Sequence, residues 1–242
     1  MKKVKFVHCA DVHLDTSFSS LGSYDGKPEA RRLELKQAFS RIVDKAKEER
    51  TDLLFICGDL YEQDYIRKST ISFVNDEFAR IPGTRVLIVP GNHDPFTRNS
   101  FYETFQWNEN VHILSDEKPY VCFDDIGVCV YGKQMEPLGA GLINILLIHG
   151  TLDMNFNRNS FNPLTSGELE ALCMDYIGLG HFHCRIEASG SKKNIFNPGS
   201  PEPLGFDEPG EHGFFAGEIV KEDGSHSRVS ANFIKSGKRF YE

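Results

Sequence analysis

The 242-residue chain contains no apolar run approaching the roughly 20 residues that a membrane-spanning helix requires. Its longest run, Leu142 to Ile148, is broken by Asn144, so no membrane segment is expected. No secretory leader is expected either: Met1-Lys2-Lys3-Val4-Lys5 is charged, but no long apolar stretch or small-residue cleavage site follows it. The expected location is cytoplasmic. There is no basic surplus either, with 27 Lys and Arg against 35 Asp and Glu and a net charge of -8, which argues against a broad basic face for nucleic acid. A polyanionic substrate is not thereby excluded, because bound divalent ions supply positive charge where a phosphate sits. The six cysteines, Cys9, Cys57, Cys122, Cys129, Cys173 and Cys184, form no C-x-x-C pair and fall mostly in apolar strands, so they read as reduced core residues. Cys122 and Cys129 flank the turn Asp124 to Gly127 and are placed to face each other across a hairpin, as thiols in a reducing compartment. No linker, repeat or low-complexity stretch interrupts the chain, which reads as one domain over residues 1–242.

With 40% hydrophobic and 26% charged residues, the chain has the makings of an ordinary globular core. Its first half alternates strand and helix. A strand from Val4 to Ala10 precedes a helix from about Glu29 to Arg50, whose Leu35, Phe39, Ile42, Val43 and Ala46 share one face. A strand over Asp52 to Cys57, a helix near Ser69 to Ile81 and a strand over Val86 to Val89 complete a βαβαβ order that implies a parallel sheet. The second half reads as seven strands, Val111–Leu114, Tyr120–Phe123, Val128–Tyr131, Ile143–Ile148, Tyr176–Gly180, His212–Val220 and Arg228–Lys235. One helix, about Ser166 to Met174 with Ser166 as its cap, lies among them.

Five short strings rich in metal-ligand side chains each fall where one of these strands ends. They are Asp11-Val12-His13, Gly58-Asp59, Gly91-Asn92-His93-Asp94, His149-Gly150 and Gly180-His181-Phe182-His183. In a parallel sheet the strand ends lie side by side at one edge, where α/β proteins place ligands, so residues distant in sequence converge there. The mixed oxygen and imidazole donors suit manganese, iron or zinc. They are too many for one ion, whereas two ions sharing a carboxylate would use them all in displacement at phosphorus.

These strings, in this order, resemble the signature of the calcineurin-like metallophosphoesterases. The stretch Phe6 to Asp15 and the string Asn197-Pro198-Gly199-Ser200-Pro201-Glu202-Pro203-Leu204-Gly205-Phe206-Asp207-Glu208 are similar to the SbcD and YhaO branch of DNA repair exonucleases. The resemblance implies an α/β fold, a four-layer α-β-β-α sandwich with two mixed sheets. It implies one metal held by Asp11, His13, Asp59 and His183 and another by Asp59, Asn92, His149 and His181, manganese being the expected ion. A hydroxide activated by the two metals would attack phosphorus, His93 would act as general acid, and Asp94 would fix the His93 tautomer. The expected substrate is a phosphodiester of nucleic acid or a nucleotide, with an SMC-type ATPase as the partner that the branch implies. Residues 1–242 are expected to form the phosphoesterase core alone, without that branch's capping and ATPase-gripping extensions, either as a core piece or as a short relative with a different substrate. Alternative readings are a phosphoesterase for small nucleotides or phosphomonoesters, and a scaffold subunit with a vestigial metal site.

Taken singly, several of these residues have blander readings. Asp59 alone suits a helix N-cap and Asn92 a turn; their joint occurrence at strand ends favours the site. His8, His112, His212 and His226 read as strand or surface residues. Asp15, Asp153, Asn155 and Asn157 read as solvated loop, Arg31 and Arg32 as a solvated helix face. Asn197 to Ser200 is similar to a turn that the family commonly places beside its metals, and Gly199 would allow close backbone approach there.

Overall fold

The computed structural model describes residues 1–19, 26–153, 160–191, 193–222 and 227–242. Five strands of its first sheet, β1 (Lys2–Cys9), β2 (Leu53–Cys57), β3 (Arg85–Val89), β4 (Val111–Ile113) and, last but one in the sequence, Gly213–Lys221, are joined by an edge strand, Arg228–Lys235. The second sheet contains β5 (Tyr120–Phe123), β6 (Val128–Tyr131), β7 (Ile143–His149), β10 (Tyr176–Gly180), β11 (Ile186–Ser189) and β12 (Ile195–Asn197). A small parallel pair, β8 (Thr151–Leu152) and β9 (Pro163–Leu164), stands apart, and the two late strands of the first sheet are β13 and β14. The helices are α1 (Lys27–Glu49), α2 (Lys68–Ala79), α3 (Phe101–Thr104) and α4 (Ser166–Ala171).

Both sheets are mixed. The first runs β14-β13-β1-β2-β3-β4, parallel from β1 to β4, with β13 antiparallel to β1 and β14 antiparallel to β13. The second runs β11-β12-β10-β7-β6-β5, parallel from β12 to β6 with antiparallel edges. The alternation of side chains builds the layers. Leu54 and Ile56 of β2 pack outward with Leu35, Phe39 and Ile42 of α1 and Val74 and Phe78 of α2. Leu53, Phe55 and Cys57 of the same strand point the other way, against Ile145 and Leu147 of β7 and Tyr176 of β10. Because β2 is covered on both faces it is apolar throughout, as a strand central to a parallel sheet must be. Beyond the second sheet, Leu169 of α4 and Leu152 and Leu164 of the β8–β9 pair cover Leu146, Ile177 and Leu179. The four layers are therefore as expected, with a fourth layer that among the described residues is one six-residue helix and a short strand pair.

Several expectations need correction. The cap of α4 is Thr165, not Ser166: its hydroxyl accepts from Glu168 N while Glu168 reaches back to Thr165 N, a reciprocal pair that starts the helix one residue earlier than the side-chain pattern suggests. Cys122 and Cys129 occupy directly opposed positions in the β5–β6 register and are joined by a disulfide, not held as thiols, and Cys173 and Cys184 are exposed. Arg31 is buried rather than solvated, held by Glu34, Glu202 and the Pro203 carbonyl. Asp15 is also buried, accepting from Arg67 N at the start of α2. Short β8, β9, β11, β12 and α3 have too few residues to show a period. His226, Asn155 and Asn157 lie outside the described residues. Among the described residues, no helix is long and apolar enough to cross a membrane.

Candidate metal centre

The parallel strands β1, β2 and β3 end side by side, and β7 and β10 end side by side on the facing sheet. All five strings emerge at these ends. The loops after β1 and β2 are zipped together by Asp11 N to Gly58 O at 3.1 Å, His13 N to Asp59 O at 2.9 Å and Leu14 N to Leu60 O at 3.0 Å. The two sheets close around the same point, because Asp11 accepts from His181 N with both oxygens, at 3.0 and 3.1 Å. Glycine is required where these backbones meet. A Cβ on Gly58 would lie 2.1 Å from His149 Nδ1, on Gly91 2.2 Å from Asp59 Oδ1, and on Gly180 1.8 Å from Cys57 O. Asp11, His13, Asp59 and His181 all have positive φ, at 51°, 49°, 52° and 96°. Such unfavourable backbone at non-glycine residues is held only where the surroundings dictate it, and it concentrates at functional sites.

Two donor groups result from the expected ligands, and His13, Glu62 and His93 make a third. Asp11, His13 and His183 offer ligand atoms within 4.8 Å of one another, and so do Asp59, His149 and His181. Asn92 joins the second, its Oδ1 lying 3.0 Å from His149 Nε2 and 3.1 Å from His181 Nδ1. Asp59 Oδ2 lies between the groups, 3.2 Å from His149 Nε2 and 3.7 Å from His13 Nε2. All seven expected ligands thus come together.

The chemistry of the set calls for a cation. His13 Nδ1 donates to Glu62 Oε1 at 2.7 Å, His183 Nδ1 to Glu208 Oε1 at 2.6 Å and His149 Nδ1 to the Cys57 carbonyl at 2.8 Å. With the proton fixed on Nδ1, each neutral ring turns a lone pair on Nε2 into the site. The His13 and His183 Nε2 atoms then face each other at 3.2 Å, and His149 Nε2 faces Asn92 Oδ1 and Asp59 Oδ2. Acceptors facing acceptors are stable only with a proton or a metal ion among them. Protonation shows the same demand. Burial opposes charge on His149, but the Asp59 hydrogen bond and the Asp11 charge outweigh it and pull the imidazole up to about 9. Burial likewise opposes ionisation of Asp59, yet His149 and His13 hold it at about 2. The residues fit a pair of divalent ions.

Asp94 does not do what its place beside His93 suggests. It is fully buried and accepts from Gly91 N at 2.6 Å, Asp59 N at 3.0 Å, Leu60 N at 2.6 Å and the Tyr102 hydroxyl at 2.6 Å. It ties the Gly58-Asp59 turn to the Gly91-Asn92 turn, and burial followed by the Asp59 charge raises it to about 6. His93 pairs with Glu62 instead, Nδ1 to Oε2 at 2.9 Å, and this bond raises the His93 pKa. Glu62 and Glu208 are functional candidates that the ligand pattern overlooked. Glu62 follows Asp59 by three residues on the same loop, and Glu208 closes the string Asn197 to Glu208. His8, by contrast, is no part of the donor set: it is buried between the sheets, bonded to the Tyr176 hydroxyl at 2.8 Å and the Leu179 carbonyl at 3.1 Å. His212 is buried against Ser200 and the Glu208 carbonyl, and His112 packs edge-on to Phe123. Asp153 is exposed and accepts from Ser166 N.

The calcineurin-like phosphoesterase family model matches residues 4–215, and the chain belongs to that family. Among curated relatives, an uncharacterized metallophosphoesterase of Bacillus subtilis, YhaO, is 28% identical over 249 residues, covering 95% of this chain and 60% of its own length. The SbcD component of the SbcCD nuclease of Staphylococcus epidermidis is 24% identical over 224 residues, covering 74% of this chain and 57% of its own length. The chain therefore spans about 60% of the length of these relatives. Two solved structures share the fold at 10% identity. The anchor in the inner membrane complex of Plasmodium has a TM-score of 0.57 over 98% of this chain and 86% of that one, and a dimetal phosphatase from Danio rerio has 0.51 over 98% and 100%. The chain is thus a member of the calcineurin-like phosphoesterase family with an α/β fold of two mixed sheets.

Proposed function

We propose that the chain hydrolyses phosphodiesters, nucleic acid first among them, with two divalent ions, manganese being the most effective. One ion would take Asp11, His13, Asp59 and His183, the other Asp59, Asn92, His149 and His181. The observation that carries this reading is the position of Asp59 Oδ2 between an imidazole of each donor group. When bound, the ions neutralise the phosphoryl oxygens and acidify a water for attack. The protein's own part is positional. Glu62 and Glu208 hold the Nδ1 protons of His13 and His183, so that both Nε2 lone pairs point inward. His93 is exposed at the rim with Nδ1 engaged by Glu62, and its Nε2 would pass a proton to the leaving oxygen. Nucleic acid is favoured over other phosphodiesters by likeness to the SbcD component of the nuclease, and the same likeness supports a partner protein, proposed as an SMC-type ATPase.

A panel of phosphomonoesters, cyclic nucleotides and single- and double-stranded DNA, assayed with manganese and again with excess chelator, tests this reading. Turnover of DNA that chelator abolishes is expected. Preference for a phosphomonoester or a small nucleotide would move the chain to another substrate class. No turnover of any ester would leave the scaffold reading.

A further inference from the structure

The string from Asn197 to Glu208 supplies none of the proposed ligands, yet its contacts converge on one of them. Asn197 Nδ2 donates to the carbonyls on either side of His183, Phe182 O at 2.7 Å and Cys184 O at 2.8 Å. Ser200 N donates to His183 O at 3.3 Å. Gly199, at φ 76°, lies so close that a Cβ would come within 2.4 Å of that same carbonyl. The backbone of three consecutive residues is thus held by one turn.

The His183 side chain is held as well. Its Nδ1 donates to Glu208 Oε1, and Glu208 Oε2 accepts from the Ser200 hydroxyl at 2.9 Å and from Leu204 N at 3.0 Å. The turn is anchored in its own right. Ser200 Oγ meets His212 Nδ1 at 2.9 Å, His212 Nε2 meets Glu208 O at 3.1 Å, and His212 O accepts from Ser236 N and Gly237 N after β14. Buried Glu202 accepts from Arg31 of α1 and from Lys238 N and Arg239 N.

We propose that residues 197–208 form a clamp on His183, with Glu208 as the positioning residue that directs the His183 Nε2 lone pair toward one ion of the pair. This rests on the metal-centre reading above. Glu208→Gln probes it sharply. A carboxylate accepts on both oxygens, but a glutamine has one acceptor; directed to the Ser200 hydroxyl and Leu204 N, where two donors meet, it turns its NH2 toward His183 Nδ1 and removes that ring's acceptor. Partners that orient a metal-bound imidazole typically contribute on the order of 10- to 100-fold to metal affinity.

The experiment is a manganese titration of the whole chain against a competing chelator, for wild type, Glu208→Gln, Ser200→Ala and the exposed control Glu211→Gln. It is paired with nitrogen-detected NMR of the His183 tautomer in metal-free protein. Glu208→Gln is expected to weaken one of two binding steps by about 10- to 100-fold and leave the other unchanged, with loss of the Nδ1–H form of His183. Ser200→Ala should weaken the same step less, and it decides the matter if Glu208→Gln fails to fold. Wild-type affinity at both steps in both variants, or equal weakening of both steps, overturns the clamp while leaving the metal centre standing. A wild type that binds no ion overturns the metal centre and the clamp together.

Discussion

At the scale of single residues, Asp94 and Glu62 exchange the roles that chain proximity suggests. Asp94 is adjacent to His93 in sequence, but its four hydrogen bonds all go to other groups, three of them backbone N–H donors. Glu62 carries an imidazole on each oxygen, His13 on Oε1 and His93 on Oε2. Its own ionisation reflects this: burial opposes charge, but the two histidines outweigh it and hold the carboxyl at about 2. His93→Ala and Asp94→Asn should therefore fail differently. His93→Ala should keep its metals and its stability, and lose on the order of a hundredfold on DNA but far less on a nitrophenyl ester, whose leaving group needs no proton. Asp94→Asn should leave at least one buried backbone donor without an acceptor and lower unfolding stability by about 1–3 kcal/mol. Paired urea titrations and rate ratios on the two esters separate them, and equal loss on both esters by His93→Ala would return His93 to the ligands.

At the scale of elements, strand ends and motif order were legible because both follow from residue type: continuous apolar runs mark strands buried on both faces, and the loops after them carry the donors. Close approach explains why a glycine adjoins the donor in several of the strings, since Gly58, Gly91 and Gly180 each face another of the proposed ligands or the turn that carries one. Gly180→Ala is the most severe case, because a Cβ 1.8 Å from Cys57 O meets backbone that cannot yield without moving Asp59. That variant should lose metal binding at both steps, by titration, even where circular dichroism shows the strands intact. Unchanged manganese affinity would contradict the close approach of the two sheets. The clamp at Glu208 and the pairing of Glu62 were not legible as ligand support, because an acidic residue in a loop has no period and its partner lies on a different element. The same holds for the six-residue α4, whose start is set by a side-chain cap and not by its apolar face.

At the scale of the molecule, function depends on two sheets meeting with their strand ends aligned. His8 is a polar tie between them, from β1 to Tyr176 and Leu179 of β10, among Phe6, Phe55 and Phe215. Burial pushes its imidazole from 6.5 down to about 3. A histidine with its folded pKa depressed contributes stability that is full above 6.5 and is lost as pH falls toward 3. Wild type should therefore lose more unfolding free energy between pH 7 and pH 5 than His8→Gln, which cannot titrate; parallel losses would remove His8 from the buried tie.

The central claim is a pair of ions sharing Asp59, and anomalous diffraction at the manganese edge from crystals grown with manganese tests it most directly. Two peaks a few ångströms apart are predicted, one bonded to Asp11, His13 and His183, the other to Asn92, His149 and His181, with Asp59 on both. A single peak, or two peaks of which either lies away from Asp59, would contradict it.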